Sequence, residues 1–142
     1  MDHLAIMNSK LALIPDILSK KKKIESRWYV TKRTPWNKIA EGDTVYFKDS
    51  GKKVTARAEV ERVLQYELTP IIIEEIIGGY GNEGGINLKN KDSKNEFYAT
   101  KKYCVLVFLK NPCNIEPFDI NKKGFGSGCA WITTEKIEGI KV

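Results

Sequence analysis

Three polar residues stand at a spacing that can hold a ligand: Lys22, Glu25 and Arg27, in a K-x-x-E-x-R run. Around them residues 23–30 alternate, with Ile24, Ser26, Trp28 and Val30 on one side and Glu25, Arg27 and Tyr29 on the other. That alternation predicts a strand, on which Glu25 and Arg27 point the same way. Opposite charges side by side hold each other in place. They also leave guanidinium donors and a carboxylate aimed into one space, with Lys22 at its rim. Such a set binds a phosphate, or the donor/acceptor edge of a base. The same residues on a convex surface would make only a cross-strand salt bridge.

Charge concentrates at the same place. The chain has 24 basic and 18 acidic residues and a net charge of +6. Between residues 20 and 33 lie Lys20, Lys21, Lys22, Lys23, Arg27, Lys32 and Arg33 against Glu25 alone, so this segment carries the whole excess. A concentrated basic stretch attracts phosphates, although a solvated lysine-rich turn has the same composition.

Other chemistries find little support. Gly79-Tyr80-Gly81-Asn82-Glu83-Gly84 matches GxGxxG. A dinucleotide fingerprint needs a strand before it and a helix after it, and here a helix precedes and a polar loop follows. No GK[ST] is present. The one histidine, His3, sits near the terminus, where a surface or edge position is expected. Cys104, Cys113 and Cys129 form no CxxC pair. Neither a metal site nor a disulfide framework is expected, nor any cofactor, and reduced cytoplasmic thiols are the default. No apolar run approaches the roughly 20 residues of a membrane span, and Met1-Asp2-His3 lacks the flank of a signal peptide. With 42% hydrophobic and 30% charged residues in 142, one globular domain over 1–142 is expected.

The elements that must position the polar run follow from periodicity. A first strand is expected over 3–7, then a cap at Asn8 or Ser9 and a short helix carrying Leu11, Ile14, Ile17 and Leu18, with Pro15 in its first turn. After the strand at 23–30 come the loop Thr34-Pro35-Trp36, the turn Glu41-Gly42-Asp43, a strand at 44–48 and the turn Asp49-Ser50-Gly51. A long strand begins at Val54, and the parity break at Val63-Leu64 predicts a bulge near Arg62. Thr69-Pro70 opens a helix bearing Ile72, Ile73, Ile76 and Ile77, which Gly78-Gly79 should end. Residues 80–95 read as a mobile loop and 95–102 as a short helix. Residues 103–109 read as a central strand ended by Asn111-Pro112, and 130–133 as a last strand after a turn region at 121–128. Strands outnumber helices and the long ones bend. The expectation is an α+β protein, a small mixed and mostly antiparallel β-barrel with two or three helices at its rim.

The run from Ile17 to Arg27 resembles the signature of ASCH domains, of the PUA-like superfamily, whose pattern is roughly G-x-K-x-x-E-x-R. Lys22, Glu25 and Arg27 occupy its polar positions, and Lys20 stands where the family usually has glycine. The block Ile39-Ala40-Glu41-Gly42-Asp43-Thr44-Val45-Tyr46-Phe47 resembles the apolar, Gly-Asp and strand segment that follows. Pro117-Phe118 and Gly128-Cys129-Ala130-Trp131-Ile132 are similar to the closing block of ASCH and EVE-type domains. The resemblance spans nearly the whole chain. It implies a PUA-like barrel with a cleft beside the K-x-x-E-x-R strand, and RNA or a nucleotide as partner, with no membrane. YTH and EVE relatives read modified bases in aromatic cages, which brings in Trp28, Trp36 and Trp131. The implied binding set is Lys20, Lys21, Lys22, Lys23, Glu25, Arg27, Trp28, Trp36, Ser127 and Trp131, with Trp36 or the Gly126-Ser127-Gly128 turn as the opposite wall.

The resemblance also carries a rival, an enzyme. Some ASCH-type proteins are amidohydrolases acting on N4-acetylcytidine with a lysine, a threonine nucleophile and a glutamate, and others cut RNA. In this chain the candidates are Lys22, Glu25 and, on the helix, Glu74 or Glu75. Glu25 occupies the nucleophile position, and a carboxylate does not replace an activated hydroxyl in simple acyl transfer.

Overall fold

The computed structural model describes residues 1–81, 94–126 and 128–142, the side chains of 94–96 excepted. Ser127 and most of the loop expected over 80–95 lie outside the described residues.

Six strands form one sheet: β1 (Asp2–Met7), β2 (Ile24–Tyr29), β3 (Thr44–Asp49), β4 (Val54–Glu67), β5 (Tyr103–Phe118) and β6 (Trp131–Thr134). Their order is β2-β5-β4-β3-β1-β6. Only β1 and β3 run parallel. The sheet curls into a half-barrel whose edges, β2 and β6, share no ladder among the described residues. Helices α1 (Leu13–Leu18), α2 (Pro70–Tyr80) and α3 (Lys94–Ala99) cover it. None of the described helices is long and apolar enough to cross a membrane.

The curl comes from β4 and β5. Their pairing slips at three points, Val54/Ala56, Arg57/Glu59 and Val60/Arg62. Each slip adds one or two residues on one side of the ladder and bends it. The last is the bulge expected near Arg62.

Asn111-Pro112 does not end β5 as expected. Asn111 takes a positive φ of 51°, and the pair inserts opposite Ala58 between the Arg57–Cys113 and Glu59–Lys110 pairs. Partner strand β2 reaches only Phe108, so Pro112 lies where one side of β5 is an open edge and its missing N–H costs no ladder bond. Helix α2 also outruns its expected end. Gly78 and Gly79 stay helical, and Gly81 caps at Ile77 O. Thr69 opens the helix as expected, accepting from the Ile72 amide at 3.2 Å.

Both faces of the sheet are buried, which explains the unbroken apolar run in β5. Val105, Val107 and Leu109 join the core that holds Phe47, Val60, Trp131 and Ile17 of α1. Cys104 and Leu106 join a second core with Ile24, Trp28, Ile76 of α2 and Tyr98 of α3. A third cluster, with Leu4, Tyr46, Ile132 and Ile137, closes the far end. Each fully buried Leu, Ile or Phe contributes roughly 1.5–3 kcal/mol.

Candidate functional site

The approach to β2 is set by a tight turn after α1. Lys20 adopts φ 66°, a left-handed conformation that favours glycine, and the Lys22 amide donates to Asp16 O at 2.9 Å. This chain therefore places a lysine in a conformation that glycine adopts at less cost. The turn folds Lys22 inward, where it is buried and its Nζ donates to Ile24 O.

Alternation then divides β2. Ile24 and Trp28 enter the second core, and Trp28 tilts against Tyr98 with ring centroids 4.5 Å apart. Glu25, Arg27 and Tyr29 take the other side. Glu25, only 5% exposed, lies between two cations: Lys22 Nζ is 3.9 Å from its Oε1 and Arg27 Nη2 is 3.8 Å from its Oε2.

Arg27 spans the open seam of the half-barrel. Rooted on edge strand β2, it donates through Nη1 to Ala130 O at 3.2 Å and through Nη2 to Ile6 O at 3.4 Å. Ala130 leads into the opposite edge strand β6, and Ile6 is on β1. The guanidinium lies 5.1 Å above the Trp131 ring. These contacts fix both ends of the planar group, yet among the described residues the buried Nε has no hydrogen-bond partner, and neither has Oε2 of Glu25.

Both residues line a cavity of about 690 Å³, together with Ser26, Trp28 and Tyr29 of β2. Gly128, Cys129 and Ala130 form its facing wall, Asn8 and Ser50 come from loops, and Phe97 comes from α3. Lys122 adds a positive charge. Its proximity, after burial itself, lowers the pKa of Lys48, which Asp119 partly offsets. A smaller cavity of about 110 Å³ adjoins it and is lined by Tyr29, Arg33 and Trp131. Burial raises the pKa of Tyr29, whose hydroxyl donates to Thr34 O at 2.9 Å.

The remaining expected residues divide sharply. Lys20, Lys21 and Lys23 are exposed on the turn and do not line the cavity. Trp131 is buried beneath Arg27. Trp36 does not line the cavity either. It packs edge-on against Tyr103 with centroids 5.1 Å apart, so the facing wall includes Gly128 but not Trp36. Glu74 is exposed on α2 and lines a different cavity of about 580 Å³, with Lys101 and Lys102. The set Lys22, Glu25, Glu74 is therefore not brought together.

His3 is neither a surface nor an edge residue. It is fully buried on β1, between β3 and β6. Nε2 lies 2.8 Å from Asp43 Oδ2, and Nδ1 lies 2.9 Å from Thr133 Oγ1 and accepts from Trp131 Nε1 at 3.1 Å. Burial lowers its pKa against the opposing pull of Asp43. Burial would raise Asp43, but hydrogen bonds from His3, the Ala40 amide and the terminal ammonium outweigh it and hold the carboxyl below its ordinary value. No group of three or more His, Cys, Asp or Glu among the described residues is arranged to hold a metal. Tyr29 was readable from its parity with Glu25 and Arg27, whereas Asn8, Ser50, Phe97 and Lys122 carry no local signal.

An open, curled α+β sheet with a charged cleft at its seam defines a small half-barrel of the PUA-like type. Among solved structures the chain matches the ASCH protein of Zymomonas mobilis, with TM-score 0.69 at 16% identity over 97% of this chain and 90% of that one. A mutant form of that protein gives TM-score 0.69 over 97% and 93% of the two chains, again at 16% identity. The hypothetical protein PH0355 matches with TM-score 0.53 at 19% identity, over 81% of this chain and 100% of that one. No family model and no curated protein matches the sequence. The chain has the ASCH fold.

Proposed function

We propose that this chain, as one domain, binds RNA or a nucleotide, with a base edge seated in the cleft between β2 and the Gly128–Ala130 wall. The observation that carries this reading is that Glu25 and Arg27 line one cavity and each keeps a buried atom, the acceptor Oε2 and the donor Nε, without a hydrogen-bond partner among the described residues. An unmet buried hydrogen bond costs roughly 1–3 kcal/mol, and more at a charged group. A ligand that supplies a donor next to an acceptor relieves both. A base edge does so; a phosphate satisfies Arg27 and is repelled by Glu25. Lys20, Lys21 and Lys23 then attract phosphates without reading sequence, and Arg33 and Lys122 extend that field to the cavity walls.

Fluorescence anisotropy with single-stranded RNA tests this. Binding on the order of micromolar is expected, weakening steeply as salt rises. Replacing Lys20, Lys21 and Lys23 by alanine should flatten the salt dependence without changing base preference. Absence of binding at low salt overturns the reading.

A further inference from the structure

The buried His3 cluster is linked to Arg27 of the cleft through one ring, that of Trp131. An indole N–H only donates, so Trp131 Nε1, 3.1 Å from His3 Nδ1, requires an unprotonated acceptor there. The imidazole hydrogen therefore sits on Nε2 and points to Asp43 Oδ2 at 2.8 Å. Asp43 is itself held by the Ala40 amide at 3.0 Å and by the terminal ammonium at 3.3 Å. The same Trp131 ring carries the Arg27 guanidinium at 5.1 Å, and Arg27 donates to the carbonyl of the preceding residue, Ala130.

We propose that His3 is a positioning residue for the cleft, holding Trp131, and through it Arg27, only while Nδ1 carries no proton. The proposal rests on the reading of the cleft as a ligand site. Protonation at Nδ1 sets an N–H against the indole N–H. The Thr133 hydroxyl, 2.9 Å away, can turn and accept, so the conflict falls on Trp131. Trp131 is 3% exposed and packed in the main core, so it shifts as a unit, and the face under Arg27 shifts with it. The groups facing His3 oppose one another. Asp43 and Asp2 favour the proton, and burial and the Met1 ammonium disfavour it. Burial dominates, which places the transition on the acid side of the ordinary histidine value.

Proton–nitrogen correlation spectra of the full chain, from about pH 7.5 to about pH 5, follow the His3 ring, the Trp131 indole N–H and the Arg27 Nε–H without any ligand. The Trp131 and Arg27 signals should move with the His3 midpoint. Trp131→Phe keeps a ring face and removes the N–H, so its Arg27 signal should stop following His3. His3→Gln removes the titrating group, so the same step should vanish there, which decides the matter if the phenylalanine variant does not fold. An Arg27 signal indifferent to His3 in the native chain, or a step surviving in His3→Gln, overturns the proposal. With single-stranded RNA as probe, affinity should fall about fivefold across the His3 transition, and this step should be absent in either variant. RNA that binds at no pH removes the cleft reading, while the ligand-free spectra still decide the coupling.

Discussion

Two cavities among the described residues are close in size, about 690 Å³ beside β2 and about 580 Å³ between α2 and α3, and differ in what their walls demand. The helical cavity is floored by Leu68, Ile73, Ile77 and Tyr98, with Glu74, Lys101 and Lys102 around it. None of its side chains is a buried polar atom without a partner among the described residues. The β2 cavity is lined by two residues that carry such atoms, one acidic and one basic: Arg27 is fixed by the carbonyls of Ile6 on β1 and of Ala130 just before β6, and Glu25 lies between Lys22 and Arg27. Volume alone does not separate a site from a packing gap. Unmet polarity beside a cavity favours a site, because a ligand that satisfies it recovers that free energy.

The largest test of this contrast is Arg27→Ala. The substitution opens the seam between β2 and β6 and leaves Glu25 buried with Lys22 as its remaining cation. Removing one partner of a buried ion pair costs on the order of 3 kcal/mol. Urea denaturation should show a loss of that order, with RNA binding abolished. Arg27→Lys keeps the charge but not the planar reach to two carbonyls, and should recover only part of either. Lys101→Ala, at the helical cavity, should stay within about 0.5 kcal/mol of the native chain. Equal effects at both cavities would erase the distinction.

The next effect is at the His3 cluster, which includes Asp43. Its carboxylate accepts from His3, the Ala40 amide and the chain terminus, and Asp43→Asn should cost about 2 kcal/mol. The pH dependence has a definite sign. Asp43 is lowered in the fold, so its contribution is present above the unfolded value near 3.8 and is lost as pH falls through the folded one. His3 is also lowered, so the fold favours its neutral form. That contribution is complete above about pH 6.5 and declines below it. Stability should therefore fall in two stages from neutral to acid pH. Hydrogen exchange should show the first stage in β1 and β6 before α2. An acid limb that starts in α2 contradicts this ordering.

Local signals revealed one wall of the cleft, and distance in the chain hid the other. Period-two alternation is enough to place Glu25 and Arg27 on one side of β2, since it needs only the strand. The carbonyl that receives Arg27 belongs to Ala130, 103 residues away, and His3 meets Thr133 across 130 residues. No periodicity reports such pairs. A tryptophan that follows a proline in a loop reads as a candidate wall, as does the Gly126-Ser127-Gly128 turn, but the position of Trp36 is decided by Tyr103, which the loop alone does not show. Asn111-Pro112 read as a stop because a proline removes a ladder donor. Whether a donor is needed depends on where β2 ends, a tertiary fact. The fold class was more legible than these details, because alternation, breakers and the Thr69-Pro70 start are all local.

Within the cleft, Glu25→Gln replaces the unpartnered carboxylate oxygen by an amide that can still fill the space. RNA affinity should drop about tenfold, equivalent to about 1.4 kcal/mol. Glu74→Gln, the matched change at the helical cavity, should leave affinity unchanged. Anisotropy titrations of the two variants side by side sharpen the contrast, since both lose one negative charge and gain the same non-specific attraction to phosphate. A drop with Glu74→Gln matching that of Glu25→Gln would place the ligand on the wrong side of the molecule.

The smallest effect is expected from Thr69→Ala, and its value lies in what it leaves alone. Thr69 Oγ1 accepts from the Ile72 amide, and Pro70 follows in the first turn, so the hydroxyl satisfies one of the free N–H groups of α2. Alanine removes that bond at a cost of about 1 kcal/mol, visible as a small shift in the denaturation midpoint, and Thr69→Ser should restore most of it. The loosened turn bears on Ile73 and Ile77, which line the helical cavity, and on Ile76, which anchors α2 in the second core. Helix α2 contributes no residue to the β2 cavity, whose one helical neighbour from that side is Phe97 of α3. RNA affinity should therefore match the native chain while protection of α2 amides falls. If affinity falls with it, strain passes from α2 through Tyr98 and Trp28, which are in contact, into β2, and the two cavities act as one site.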